Sequence, residues 1–270
     1  MKTVWLVTNS MSQKTDRAAV DQVCDILCSR DFRLERLVDL GGEGLPDGDA
    51  LPDIVACLGG DGTASAVVDH YGNKNVGLLV LPGGTMNLLA HKLHGEADIP
   101  DIIAQVAERE RIVQLPQIAG PDFRSLVGII AGATAAWGDV REALRSGDVE
   151  TIVGQARAAF QSTLSQPSLS MDLEKTLYNA LFIEPLEDAM RVQDIKADTL
   201  YDIAQHGWAW LNRDFLGGPL TPLSYAEQIT LHDQSGTLAL LVDGERKSAP
   251  SPLMLRAETC PARFLTALRS

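Results

Sequence analysis

Asp53-Ile54-Val55-Ala56-Cys57-Leu58-Gly59-Gly60-Asp61-Gly62-Thr63 is an apolar run that passes straight into a glycine cluster. A short continuous run of this kind, bounded by turn residues, reads as a strand covered on both faces. Thr63 to Tyr71 then suits a helix, with Thr63 available as its N-cap. About twenty residues later the pattern repeats, since Asn75 to Leu81 is a second buried strand that ends in Pro82-Gly83-Gly84-Thr85-Met86-Asn87. Outward from this pair, Val4 to Thr8 is β-rich, and Arg17 to Ser29 carries Ala18, Val20, Val23, Cys24 and Leu27 at helical spacing. Phe32 to Val38 alternates like a strand, and Ile99 to Arg109 is helix-like. Strands alternating with helices imply a parallel sheet with both faces covered, in which ligands bind beyond the carboxyl ends of the strands. Both glycine clusters sit at such ends.

The texture changes after Arg109. Arg111 to Gln117 and Phe123 to Ile130 read as strands, Val140 to Leu164 as a helix, and from Leu169 short β-like runs dominate: Leu177 to Ile183, Arg191 to Ala197, Ala226 to Leu231, Leu238 to Val242 and Leu253 to Ala257. One further helix is expected over Leu200 to Leu211. The fold class expected is α/β, with an N-terminal parallel-sheet domain over residues 1–116 and a β-rich, sandwich-like domain over 117–270, whose last strand is free to return to the first.

Composition sets the outer limits. At 270 residues, 45% hydrophobic and 22% charged, the chain is in the ordinary globular range. With 23 Lys and Arg against 36 Asp and Glu, the net charge of −13 disfavours capture of a nucleic-acid backbone. There is no polybasic membrane anchor, and the apolar runs are too short for a signal-peptide core or a span, so a cytoplasmic protein is expected. Cys24, Cys28, Cys57 and Cys260 lack metal-ligand spacing and read as buried reduced thiols.

The chemistry concentrates in the two glycine clusters. Gly59, Gly60 and Gly62 let the backbone approach a ligand, and the amides at the start of the following helix favour anionic oxygens. Asp61 repels a bare phosphate, so its presence points to a divalent cation or a protonated ligand group. Gly83 and Gly84 repeat the turn, while Thr85 and Asn87 add a hydroxyl and an amide suited to phosphate oxygens or a purine, the plainer alternative being Thr85 as a helix cap and Asn87 in solvent. His91 and His94, three apart on one helix face, read as solvated or capping rather than as metal ligands, and no metal ligand set is indicated. Trp208 reads as core-facing and Trp210 as surface. Asp194, Asp198 and Asp202 read as a solvated acidic face, and Ser162 and Ser165 carry no nucleophile signature.

Gly59-Gly60-Asp61-Gly62-Thr63 followed by Pro82-Gly83-Gly84-Thr85-Met86-Asn87-Leu88-Leu89-Ala90 resembles the paired signatures of the diacylglycerol kinase catalytic family, which includes sphingosine kinases and bacterial lipid kinases. Val242-Asp243-Gly244-Glu245 resembles the carboxyl-terminal Asp-Gly-Glu of the same family. The resemblance implies an ATP-dependent lipid kinase that uses Mg²⁺ and places the γ-phosphate on a hydroxyl of a diacylglycerol-like lipid, with transient contact at a membrane surface. It makes residues 117–270 the lipid-substrate domain and places the active site in the cleft between the domains. It implies Glu245 as catalytic base, Asp61 as a second catalytic residue orienting substrate or magnesium, and Asn9, Gly59, Gly60, Gly62, Thr63, Gly83, Gly84, Thr85 and Asn87 around the nucleotide. The chain departs from the family pattern in Asn9-Ser10-Met11-Ser12-Gln13, which lacks the usual Pro and Gly of an Asn-Pro-x-Ser-Gly turn, and in Ser65, Ala66 and Leu88. Two alternatives therefore stand beside the kinase: a catalytically weakened nucleotide- or lipid-binding protein of the same fold, and another small-molecule kinase sharing the Gly-Gly-Asp-Gly turn, such as an NAD kinase. On bare sequence Glu245 reads equally as a carboxylate beside a hairpin turn at Asp243-Gly244.

Overall fold

The computed structural model describes residues 1–11, 17–48, 50–132, 167–172, 175–195 and 221–268. Gln13, the helices expected over 140–164 and 200–211, Trp208, Trp210, Asp198, Asp202, Ser162 and Ser165 lie outside them. The chain divides into two compact units, residues 1–115 with 259–270, and residues 116–258.

In the first unit the chain forms β1 (Lys2–Thr8), α1 (Arg17–Ser29), β2 (Phe32–Asp39), β3 (Ile54–Gly59), α2 (Asp61–Tyr71), β4 (Gly77–Pro82), α3 (Leu88–His94), α4 (Ile99–Glu108) and β5 (Ile112–Val113). The second unit contributes β6 (Pro116–Ala119), β7 (Arg124–Ser125), β8 (Ile129–Gly132), β9 (Leu169–Met171), β10 (Ala180–Pro185), β11 (Met190–Asp194), β12 (Thr221–Ala226), β13 (Gln228–Asp233), β14 (Thr237–Val242), β15 (Glu245–Pro250) and β16 (Leu253–Thr259). The chain then returns to the first unit as β17 (Arg263–Leu265).

The first sheet has the order β2-β1-β3-β4-β17-β5. β1 pairs in parallel with both β2 and β3, and β3 with β4. β17 adds in parallel to β4 through Arg263 and Phe264 and is closed by antiparallel β5. Alternate residues serve the two faces. Val4, Leu6, Ile54, Ala56, Leu58, Leu79 and Leu81 pack with Val23 and Leu27 of α1 and Ile102, Ile103 and Val106 of α4. α4 is capped by Asp98, whose side chain accepts the Asp101 N–H at 2.9 Å, and proline follows at the first turn, where no N–H is needed. Because the chain passes from β2 across β1 to β3, the order reverses between β1 and β3, and the carboxyl ends of these two strands mark the switch point.

The second unit is a sandwich of a six-stranded sheet, β12-β11-β10-β8-β14-β15, and a five-stranded sheet, β7-β6-β16-β13-β9. Their inner faces share one core, with Ile129, Leu181, Ile183, Val192, Leu238 and Leu240 from the first and Ile118, Leu169, Ile229, Leu231, Leu253 and Leu255 from the second.

Several elements differ from expectation. The strand expected over 111–117 is broken between β5 and β6, where the Leu115 carbonyl accepts the Cys260 N–H at 2.8 Å and Gln114 Nε2 donates to the Cys260 carbonyl at 3.2 Å. The run expected over 123–130 is likewise two short strands. Cys57 and Cys260 are buried, but Cys28 is exposed and Cys24 half-buried, because α1 turns only Val23 and Leu27 fully inward. Among the described residues, no helix is long and apolar enough to cross a membrane.

Candidate phosphate-binding site at the switch point

Two glycine turns lock together at the carboxyl ends of β3 and β4. Gly59 pairs with Pro82 at the end of the ladder, and the Gly83 N–H donates to the Gly59 carbonyl at 3.0 Å. The backbones lie so close that a Cβ on Gly83 would fall 2.7 Å from the Gly59 nitrogen. One on Gly84 would fall 2.4 Å from the Gly60 Cα. Glycine is thus demanded at 83 and 84 by the neighbouring turn itself. At Gly59 the obstruction is the Thr63 side chain, whose Cβ would be 2.8 Å away. Gly60 differs, since a Cβ there would meet only the Gly84 Cα, at an ordinary 3.5 Å. The face it points to is open.

The helix begins two residues before the expected start. α2 starts at Asp61, with Gly60 as N-cap in extended conformation and no side chain capping it. Thr63, only 5% exposed, is therefore not the cap; it stands inside the first turn and accepts a hydrogen bond from Asn9 Nδ2 at 3.4 Å. The first amides of a helix have no intrahelical partners, so this uncapped turn, with Gly62 exposed, presents donors and the positive end of the helix dipole to an anion.

Asn87 has a left-handed backbone, φ 50° and ψ 36°, a conformation that asparagine tolerates better than most residues. Its side chain folds back on the turn: Oδ1 accepts the Gly84 N–H at 2.7 Å and Nδ2 donates to the Gly84 carbonyl at 3.2 Å. Asn87 thus braces the second turn instead of standing in solvent. Thr85 is exposed and is not a helix cap, since Asn87 holds the N-cap position of α3. Asp61 spans the two turns, with Oδ1 accepting the Leu89 N–H from the first turn of α3 at 3.2 Å. Burial of the Cys57 thiol, with the Asp61 charge as a smaller cause, pushes it up to about 12, so that thiol is unreactive at neutral pH.

The structure brings Asn9, Gly59, Gly60, Asp61, Gly62, Thr63, Gly83, Gly84, Thr85 and Asn87 to one edge of the first sheet. Glu245 belongs to the second unit. There Asp243 and Gly244, with φ of 47° and 82°, form the two-residue turn of the β14–β15 hairpin, and Glu245 pairs with Val242 as the first residue of β15. Asp243 is tied inward: Oδ1 accepts from Ser125 Oγ at 2.6 Å, Val127 N–H at 2.9 Å and Gly128 N–H at 3.0 Å, and Oδ2 from Leu126 N–H at 2.8 Å. This anchoring aspartate was missed in the sequence, where it read only as a turn residue.

The histidine pair divides. His91 Nδ1 lies 3.0 Å from the Gly95 carbonyl at the end of α3, a capping contact. His94 is 3% exposed and not solvated; Nε2 donates to the Val80 carbonyl at 2.9 Å while Nδ1 accepts the Ala267 N–H at 3.2 Å. That tautomer is neutral, and burial pulls its pKa down to about 4. Among the described residues, no three His, Cys, Asp or Glu side chains gather in a metal-holding group.

Residues 4–116 match the family described as the diacylglycerol kinase catalytic domain. Two structures of candidate diacylglycerol kinases from Bacillus anthracis str. Sterne superpose on this chain with a TM-score of 0.64, at 13% and 12% identity, each covering 98% of this chain and 97% of the other. A diacylglycerol kinase structure from the same organism gives a TM-score of 0.61 at 11% identity and the same coverage. The likeness at these identities is one of fold, and it runs through both units. No curated protein sequence matches the chain.

Proposed function

We propose that this chain is an ATP-dependent lipid kinase that transfers the γ-phosphate to a hydroxyl of a diacylglycerol-like lipid, a reading supported by the match of residues 4–116 to the diacylglycerol kinase catalytic domain. The observation that carries the reading is the interlocked pair of glycine turns at the carboxyl ends of β3 and β4, beside the uncapped start of α2. Backbone amides of Gly60, Gly62 and Thr63 would hold phosphate oxygens, with Asn9, Gly83 and Gly84 shaping the wall and Thr85 offering a hydroxyl. Phosphoryl transfer asks little covalent chemistry of the protein and much positioning and charge stabilisation, which such a rigid cradle suits.

Asp61 fits a divalent cation. Magnesium commonly takes one or two protein carboxylates and completes its shell with phosphates and water, so a single half-buried Asp beside a phosphate cradle is a sufficient protein contribution. Bound there, the ion would neutralise charge building on the transferring group. We assign proton acceptance from the lipid hydroxyl to Glu245. The test is incubation of the full chain with γ-labelled ATP and Mg²⁺ over a panel of vesicles containing diacylglycerol, sphingosine, monoacylglycerol or ceramide. Label in the lipid phase identifies the acceptor, and its absence from every lipid rejects the kinase reading.

A further inference from the structure

The turn after β1 has neither proline nor glycine from Asn9 to Met11 to hold its shape, yet it carries Asn9 to the first turn of α2. What holds it comes from the end of β2. Asp39 Oδ1 accepts the backbone N–H of Ser10 at 2.9 Å and that of Gly41 at 3.1 Å, and Oδ2 accepts from Ser10 Oγ at 2.5 Å. Around this clamp the Leu40 N–H donates to the Thr8 carbonyl at 2.9 Å, so the chain leaving β2 runs along the chain leaving β1. The fit is tight: a Cβ on Gly41 would sit 2.6 Å from Met11 Cγ and 3.0 Å from Asn9 Oδ1.

The clamp connects onward. Asn9 Oδ1 accepts the Met11 N–H at 3.1 Å, and its Nδ2 reaches Thr63 Oγ1. The Ser10 hydroxyl and N–H hold the Asp39 carboxyl below the usual carboxylate range, so these are charge-assisted bonds at neutral pH. A hydroxyl and an amide that donate to one carboxylate fix both the position and the rotation of the Ser10 peptide, which neither does alone.

We propose that Asp39 is a positioning residue for nucleotide binding: through Ser10 it sets the β1 turn so that Asn9 meets the α2 glycine turn in the geometry the phosphates require. The inference rests on the reading of the glycine turns as the nucleotide site. Asp39 acts through another residue and leaves the chemical step alone, so its loss acts on affinity.

The experiment is calorimetric titration of ADP with Mg²⁺ into the full chain and its Asp39→Ala, Ser10→Ala and doubly substituted forms, each with a thermal melt, and steady-state transfer for the KM-against-kcat split. Losing charge-assisted bonds of this kind predicts roughly tenfold weaker ADP binding for Asp39→Ala. The double variant should be no weaker than Asp39→Ala alone, since the pair works as one unit, and kcat at saturating ATP should stay near wild type. Asp39→Asn, which keeps an acceptor for the backbone N–H groups, serves if the alanine variant does not fold and should bind with intermediate affinity. Unchanged ADP affinity in folded Asp39 variants, or losses that simply add in the double variant, overturns the clamp while leaving the nucleotide site intact. A wild-type chain that binds no ADP overturns the site reading and the clamp with it.

Discussion

Gly84 and Gly60 are backbone neighbours: a Cβ built on Gly84 would lie 2.4 Å from the Gly60 Cα, whereas one built on Gly60 would lie 3.5 Å from the Gly84 Cα and meet nothing closer. The two glycines therefore have different reasons for being glycine. At position 84 the neighbouring turn excludes a side chain; at position 60 the protein itself leaves room for one.

Substitution separates those reasons. Gly84→Ala forces the turns apart and is expected to cost about 1–3 kcal/mol, in the range of overpacking. Gly60→Ala, at φ −83° and at the N-cap of α2, where alanine is less favourable than glycine, is expected to cost no more than about 1 kcal/mol yet weaken ADP binding, because its Cβ enters the face proposed for phosphate. Chemical denaturation and ADP titration of both variants check this. Undiminished ADP affinity in Gly60→Ala would make the open face irrelevant to ligand.

Asp61 has a structural bond and a proposed chemical role, and the amide variant divides them. Asp61→Asn keeps an oxygen to accept the Leu89 N–H, so its stability should stay near wild type, while Asp61→Ala should lose about 1 kcal/mol with the cap. Phosphate transfer should fall to background in both, since both remove the charge that a cation requires. Melting curves paired with label transfer test it, and substantial transfer by the Asn variant would reduce Asp61 to a helix cap.

The two acidic residues that flank Gly244 in the β14–β15 hairpin should respond differently. Asp243→Ala strands four hydrogen-bond donors and is expected to destabilise the protein by about 3 kcal/mol or more. Glu245→Gln should lower kcat by roughly 10²–10⁴ with little effect on ATP affinity, as for a lost general base. A Glu245→Gln enzyme with wild-type kcat would move the base elsewhere.

His94 gives the protein an acid limit. Its pKa is about 4 when folded, below the 6.5 of an unperturbed histidine, so above pH 6.5 the ring is neutral in both states and its full contribution is present. As pH falls from 6.5 towards 4 the unfolded chain binds the proton first, and about 3 kcal/mol of stability is lost across that window. Urea denaturation at intervals of pH should show this slope in the wild type and a flatter one in His94→Gln. Equal slopes would mean that the buried ring does not carry the dependence.

The parallel sheet was legible because β3 and β4 are continuous apolar runs that pass into glycine, a pattern local in sequence. β15 was not, since Glu-Arg-Lys-Ser-Ala-Pro is a polar edge strand with one buried residue, and β17 contributes only three residues. The glycine clusters announced a close backbone approach without saying to what. For Gly83 and Gly84 the answer is the other turn, a contact across more than twenty residues that no periodicity encodes. The bracing of its own turn by Asn87 was not legible, because the left-handed backbone torsion that makes asparagine suitable there is invisible in sequence. Asp39 passed unnoticed for a similar reason: its partner Ser10 lies on the neighbouring strand's turn, and only strand pairing reveals the carboxylate between them.

The glycine cradle, as proposed, presents ATP for transfer to a lipid hydroxyl. That transfer is measured with the full chain, γ-labelled ATP, Mg²⁺ and diacylglycerol vesicles, with wild type and Asp61→Asn run side by side. Time-dependent label in the extracted lipid is expected for the wild type and none above background for the variant. No label in lipid from a wild-type protein that binds ADP would contradict it.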